Sequence, residues 1–220
     1  MSLLRIMTEK EYKTTIKYDK EPYIKGEEVF QEDEFGFNPG RVTVLAGPNG
    51  SGKSTLLNII EKHLKDNNIK YVSYNNVEES KNAIDRYGYF EDFTAVSILV
   101  SSSEGQCLFY NIARFTQKIS KALHGEAKDD KEFWILMDAT DSGLSIDKII
   151  DVKEQLFKTV LQDNPDKDIY IVIAANSYEY TVPMDGLPLE CRDVKTGAVV
   201  KFDNYDDYRY WICLRQFVIV

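Results

Sequence analysis

The stretch whose reading decides the fold is Val42-Thr43-Val44-Leu45-Ala46-Gly47-Pro48-Asn49-Gly50-Ser51-Gly52-Lys53-Ser54-Thr55-Leu56-Leu57. Residues 47–54 satisfy the pattern G-x-x-x-x-G-K-[S/T] at every fixed position. An apolar, strand-like run precedes them and an apolar-periodic, helix-like run follows, which is the context the pattern needs. Gly50 and Gly52 allow a turn sharp enough for backbone N–H groups to converge on phosphate oxygens. The helix starting near Ser54 adds the positive end of its dipole. In such a loop Lys53 reaches the β- and γ-phosphates of a nucleotide, and Ser54 offers a hydroxyl to Mg²⁺.

Working outward, further continuous apolar runs at 69–73, 133–137 and 169–174 read as buried strands. Continuous rather than alternating runs are those of a parallel sheet covered on both faces. Helical patterns lie between them. Residues 54–65 carry Leu56, Leu57, Ile60 and Leu64; 107–123 carry Leu108, Ile112, Phe115, Ile119 and Leu123; 146–161 carry Ile146, Ile149, Ile150, Leu156, Phe157 and Val160. The predicted class is α/β: one domain over 1–220, with a mainly parallel central sheet flanked by helices. Residues 1–40 suit a small antiparallel β layer, and 75–125 a short helical lobe. Residues 190–220 suit a hairpin turning at 193–197, followed by an aromatic helix or strand marked by Tyr205, Tyr208, Tyr210 and Trp211.

The chain has 220 residues, 43% hydrophobic and 29% charged, with a net charge of −9. That excludes a disordered or fibrous chain and gives bulk electrostatics little part in binding nucleic acid or an anionic membrane, leaving a local basic patch or one brought by a partner. No apolar run approaches the roughly 20 residues of a membrane span. The first residues turn polar too soon for a secretory signal. Cys107, Cys191 and Cys213 show no metal-ligand pairing, and read as small core residues kept reduced in a cytoplasm.

The phosphate loop with Leu56-Leu57, and Phe37-Asn38-Pro39-Gly40-Arg41-Val42 before it, resembles the ABC-type P-loop ATPases, a family of transporter engines and SMC/RecF/Rad-type repair ATPases. The resemblance runs in order to about residue 177, roughly two-thirds of the chain. Ser101-Ser102-Ser103-Glu104-Gly105-Gln106 is similar to the family signature, a helix-N-terminal anion site that meets the γ-phosphate held by another subunit. Its departure is Ser103 or Glu104 where glycine is usual, and the ordinary alternative is a serine-rich helix cap. This likeness implies that Ser103 and Gly105 act in trans.

Residues 133–138, ending in Asp138, look like the Walker B strand, whose carboxylate holds Mg²⁺ with Ser54. Residues 141–147, led by Asp141, look like the D-loop. Asn176 stands where the family's switch histidine contacts the γ-phosphate; its amide can donate a hydrogen bond but cannot carry a proton. Tyr23 and Phe30 are candidates for the adenine-stacking aromatic, and Asn75 or Asn76 for the Mg²⁺-sensing glutamine.

One departure bears on chemistry. The family's water-polarising Glu follows the Walker B Asp, and here that residue is Ala139. Three readings stand open: slow hydrolysis, Asp141 in the Glu's place, or a Glu→Ala substitution by an experimenter.

Only 48 positions separate Lys53 from Ser101. That is too short for a transporter's helical subdomain or a long coiled coil. The resemblance therefore implies a compact, cytoplasmic ATPase that binds ATP with Mg²⁺, closes as a head-to-tail homodimer and acts as a conformational switch without membrane insertion. It offers a DNA-repair, recombination, phage or defence setting, with an effector protein as receiver; nucleic acid as a partner has no support from charge. The alternatives are a non-catalytic, nucleotide-gated binding module and the ATP-binding subunit of a transporter.

Overall fold

A computed structural model describes residues 12–18, 30–75, 104–139, 141 and 144–216, with residues 104–110 and 216 described by their backbone. The central sheet has six strands in the order β4-β5-β6-β3-β7-β8. These are β3 (Arg41–Ala46), β4 (Tyr71–Asn75), β5 (Glu132–Asp138), β6 (Asp168–Ala174), β7 (Leu189–Asp193) and β8 (Val199–Val200). The first five pair in parallel, and β8 returns antiparallel on β7. A separate two-stranded antiparallel sheet is formed by β1 (Thr14–Lys17) and β2 (Glu34–Phe37).

Alternating strand residues go to two cores because successive side chains leave opposite faces of the pleat. On one face Leu45, Trp134, Leu136, Tyr170 and Val172 bury against Leu56, Leu57, Ile60 and Leu64 of α1 (Lys53–Asp66), and against Phe35 and Phe37 of β2. Trp134 and Tyr170 are register partners whose rings stack at 4.2 Å and 7°. The Tyr170 hydroxyl shares a 2.8 Å hydrogen bond with Thr14 Oγ1, fixing the small sheet over β6. On the other face Val44, Phe133, Ile135 and Ile171 meet Ile112, Phe115, Ile119 and Leu123 of α2 (Glu104–His124). These four belong to the expected stripe of the second helix, whose fifth member, Leu108, has its side chain outside the described residues. From Ile112 onward α2 packs into the core.

The third helical pattern is not one α-helix. It runs as α3 (Ile146–Asp151), a π-helical turn (Val152–Lys158) and α4 (Thr159–Asp163). The π turn brings Lys153 inside, where its Nζ donates to the carbonyls of Glu179 at 2.9 Å and Val182 at 2.6 Å. Ile146 and Ile150, expected on the buried face, are 59% and 43% exposed. Of the cysteines expected in the core, Cys191 is buried and Cys213 is exposed, and the Cys107 side chain lies outside the described residues.

At the C-terminal end, β7 and β8 form the expected hairpin, and Gly197 takes the left-handed backbone (φ 65°) that its turn requires. β7 itself is a fifth parallel strand, one the apolar-run reading misses because Glu190 and Arg192 interrupt it. Both charges are buried yet partnered. Glu190 pairs with Arg41 at 3.1 Å, while Arg192 donates to the carbonyls of Gly197 and Gly36 and lies over the rings of Tyr12 and Phe35. The aromatic segment is a helix, α5 (Tyr205–Gln216), with Tyr208 and Trp211 turned inward.

Candidate nucleotide-binding site

Parallel pairing places the C-terminal ends of β3, β4, β5 and β6 on one edge of the sheet, where ligands of open α/β folds bind. The register makes this concrete. Asn75 pairs with Asp138, Asp138 with Ala174, and Leu45 with Ala174, so four loops leave the sheet within one rung of each other.

From β3 the chain enters the 47–52 loop. Gly50 (φ 78°) and Gly52 (φ 97°) hold left-handed backbone there, and a Cβ on Gly50 would point into open space. At Gly47 a Cβ would collide with the Ser51 side chain and touch Val194 of the β7–β8 turn at 3.0 Å. Ser51 is buried, and its Oγ has no hydrogen-bond partner among the described residues. Gly52 caps α1 without any side-chain bond, and the first turn of α1 has no acidic residue. Its N–H groups therefore keep their affinity for an anion.

Lys53 opens α1, almost fully buried, and its Nζ donates to the carbonyls of Gly47 at 2.6 Å and Pro48 at 3.0 Å. Burial pulls this ammonium down to about 8, while the Asp141 and Asp138 carboxylates act in the opposite direction. Ser54 Oγ donates to Asp138 Oδ1 at 3.1 Å, and the Asn75 amide reaches Oδ2 of the same carboxylate at 3.4 Å. Burial raises the Asp138 carboxyl, offset in part by Ser54, the Ala139 N–H and Lys53.

Among the described residues no three acidic, His or Cys side chains cluster as a metal cage. A hydroxyl and one carboxylate in contact instead suit Mg²⁺, which takes one or two protein oxygens and completes its shell with phosphate and water. An unpartnered buried hydroxyl, an uncapped helix start and the Ser54–Asp138 pair together fit a magnesium-bound nucleotide phosphate.

Beyond β5 the chain bends at Ala139, which has left-handed backbone (φ 52°) and donates its N–H to Ala174 O at 3.1 Å. Asp141 is committed to the neighbouring loop. Its Oδ2 accepts the backbone N–H groups of both Asn176 and Ser177, tying the loop after β5 to the loop after β6. Asn176 is exposed, and its carbonyl accepts the Tyr208 hydroxyl at 2.6 Å.

Lys53, Ser54, Asp138, Asp141 and Asn176 thus converge on one edge, with Asn75 beside them. Phe30 does not join them: it is buried and packs edge-on against Tyr18 at 4.9 Å. Gly105 lies in the first turn of α2, so the signature stretch does lead into a helix N-terminus. Ser103, Tyr23 and Asn76 lie outside the described residues. Tyr208 is the site neighbour that sequence reading missed; no spacing rule links position 208 to 176.

A family model agrees with this geometry: residues 30–132 match the one described as ABC transporter. A 36-residue stretch is 53% identical to the thymidylate kinase of Clostridium novyi (strain NT) and covers 16% of this chain and 18% of that enzyme, so the chain spans under a fifth of that relative's length. Among solved structures, a nucleotide-free ATP-binding cassette from an ABC transporter is similar at TM-score 0.45 and 15% identity, over 93% of this chain and 97% of that one.

Proposed function

Because residues 30–132 match the family model described as ABC transporter, we propose that the chain is an ABC-type P-loop ATPase, a cytoplasmic Mg-ATP-binding switch that closes as a head-to-tail homodimer and hydrolyses ATP slowly. The observation that carries this reading is the contact of Ser54 with Asp138 beside a buried Lys53, at the mouth of an uncapped helix. Lys53 and the N–H groups of residues 50–53 stabilise phosphate charge. Ser54 and Asp138 hold Mg²⁺, which when bound neutralises phosphate charge. Asn176 donates to the γ-phosphate, and Ser103 with Gly105 complete the site of the facing chain.

The reading of slow turnover rests on Ala139, which has no basic atom, and on Asp141, whose Oδ2 holds two backbone N–H groups and fixes the carboxylate to the neighbouring loop, although its Oδ1 has no partner among the described residues. The same two observations favour a second reading, a nucleotide-gated binding module without turnover. An effector protein receives the switch; a DNA-repair, phage or defence setting belongs to the proposal only by family analogy. Among the described residues no helix is long and apolar enough to cross a membrane.

The test is solution mass by light scattering with Mg-ATP, with Mg-ADP and without nucleotide. A dimer with Mg-ATP alone is expected. A monomer in all three conditions, with ATP binding shown by calorimetry, would overturn the homodimer.

A further inference from the structure

The loop after β6 is gripped from two sides by groups that lie far apart in sequence. On one side Asp141 Oδ2 accepts the N–H groups of Asn176 and Ser177. On the other the Tyr208 hydroxyl, arriving from α5, donates to the Asn176 carbonyl at 2.6 Å. Both backbone hydrogen-bonding groups of Asn176 are therefore held, while the residue itself stays exposed at the phosphate edge.

Tyr208 is well placed to act as a stop rather than a loose contact. It is 7% exposed, and its ring meets Phe202 edge-on at 5.1 Å and Tyr178 at 5.6 Å, so its position is set by packing. Burial pushes its phenol well above the usual range, so it stays protonated and remains a donor. A further ring, Tyr205, packs on Tyr178 at 5.8 Å, joining the start of α5 to the 3₁₀ turn at Tyr178–Tyr180 that directly follows the loop.

We propose that Tyr208 is the positioning residue of this loop: its hydroxyl fixes the Asn176 backbone so that the Asn176 amide meets the γ-phosphate, and through it α5 is coupled to the choice between ATP and ADP. The inference rests on the proposed role of Asn176. It adds that the C-terminal helix, which has no residue in the phosphate loop, helps set nucleotide preference. Because coupling free energies are reciprocal, anything that shifts α5 shifts that preference, and γ-phosphate binding in turn biases α5. Tyr205, Tyr210 and Leu214 of this helix are 57%, 65% and 45% exposed, so it can be reached from solvent.

The test measures Kd for Mg-ATP and Mg-ADP by calorimetry in the full chain. Tyr208→Phe keeps the ring and removes one hydroxyl. It is expected to weaken Mg-ATP binding about 3- to 10-fold, the size of a single hydrogen bond, and to leave Mg-ADP unchanged. Phe202→Leu loosens the same packing without touching the hydroxyl. It should lower the melting temperature and shift the ATP/ADP ratio in the same direction as Tyr208→Phe, by no more than that variant does. Asn176→Ala tests the underlying reading by itself.

If Asn176→Ala lowers the ratio and Tyr208→Phe does not, the inference falls and the role of Asn176 stands. If Asn176→Ala leaves the ratio unchanged, both fall. Non-additivity gives the confirming result: Tyr208→Phe in the Asn176→Ala background should cost nothing further.

Discussion

Replacing Lys53 by methionine should make the nucleotide-free protein's stability respond differently to pH, by an amount the structure fixes. The ammonium titrates at 10.5 in an unfolded chain and, pulled down by burial, at about 8 in the folded one. Between those values the unfolded state binds more protons than the folded state, so wild-type stability must rise with pH. The gap of about 2.5 units corresponds to about 3 kcal/mol, at 1.36 kcal/mol per unit. This handicap is present in full below pH 8 and vanishes near pH 10.5.

A methionine side chain carries no proton and removes that response, while adding a constant loss for the two loop carbonyls that Lys53 serves. The difference in unfolding free energy between wild type and Lys53→Met, measured by urea denaturation from pH 7 to 10.5, should therefore move in favour of wild type by about 3 kcal/mol. Other titrating groups cancel in the difference. Mg-ATP should stabilise wild type in proportion to its affinity and leave the variant unmoved. A difference that is flat across this range would refute the reasoning, because Lys53 would then feel no burial cost and would not be held in reserve for an anion.

Ala139→Glu should raise ATP turnover about 10²- to 10⁴-fold, the usual contribution of a placed general base, with little change in stability because the backbone strain at φ 52° is common to both residues; turnover left at background by a phosphate-release assay would favour the module without catalysis. Asp138→Asn should weaken Mg-ATP binding by at least about 10-fold, since even outer partners of a metal cost that much, while metal-free ATP binds no worse; calorimetry with and without Mg²⁺ separates the two. Arg192→Leu should cost about 2–6 kcal/mol, at about 1–3 for each of the two buried carbonyls left without a donor, because Arg192 joins the β7–β8 hairpin to the β1–β2 layer through Gly197 and Gly36 and lies over Tyr12 and Phe35. Thermal unfolding of the Arg192 variant should fall by roughly 10 °C.

The elements legible in the sequence are those whose signal is local. The 47–54 loop reads directly because glycine positions and a lysine at fixed spacing have few other uses, and α1 and the core part of α2 follow their apolar stripes. What escapes detection depends on long-range pairing. β7 is hidden because Glu190 and Arg192 look like surface residues until Arg41, Gly36 and Gly197 supply partners. The π turn leaves no mark on the apolar pattern, where the buried Ile149, Val152 and Leu156 keep steps of three and four. Phe30 is attractive by distance from the phosphate loop, yet core packing claims it. Asp141 is recognisable as a conspicuous carboxylate, but its use as a backbone clamp on Asn176 and Ser177 requires the two loops to be seen side by side.

These loops also bear on how complete a switch one chain can be. Moving a two-state equilibrium from 1:99 to 99:1 takes about 10⁴-fold discrimination, or about 5.5 kcal/mol. On the proposed role of Asn176, the γ-phosphate gains within one chain chiefly its amide, a hydrogen bond to a charged group, which is worth about 1.5–3 kcal/mol. That amounts to roughly 10- to 150-fold. Lys53 and the residue 50–53 amides add less to the difference, since ADP also presents phosphate to them. The remaining factor of about 10² to 10³ has to come from outside the chain, and a second helix N-terminus placed on the γ-phosphate is a group of suitable chemistry. If Ser103 and Gly105 of a facing copy supply it, ATP/ADP preference must grow with protein concentration, weak where the chain is monomeric and near about 10⁴ where it dimerises. A preference that stays constant across the dimerisation range would mean that the γ-phosphate is read by one chain alone, and the head-to-tail arrangement would lose its physical reason.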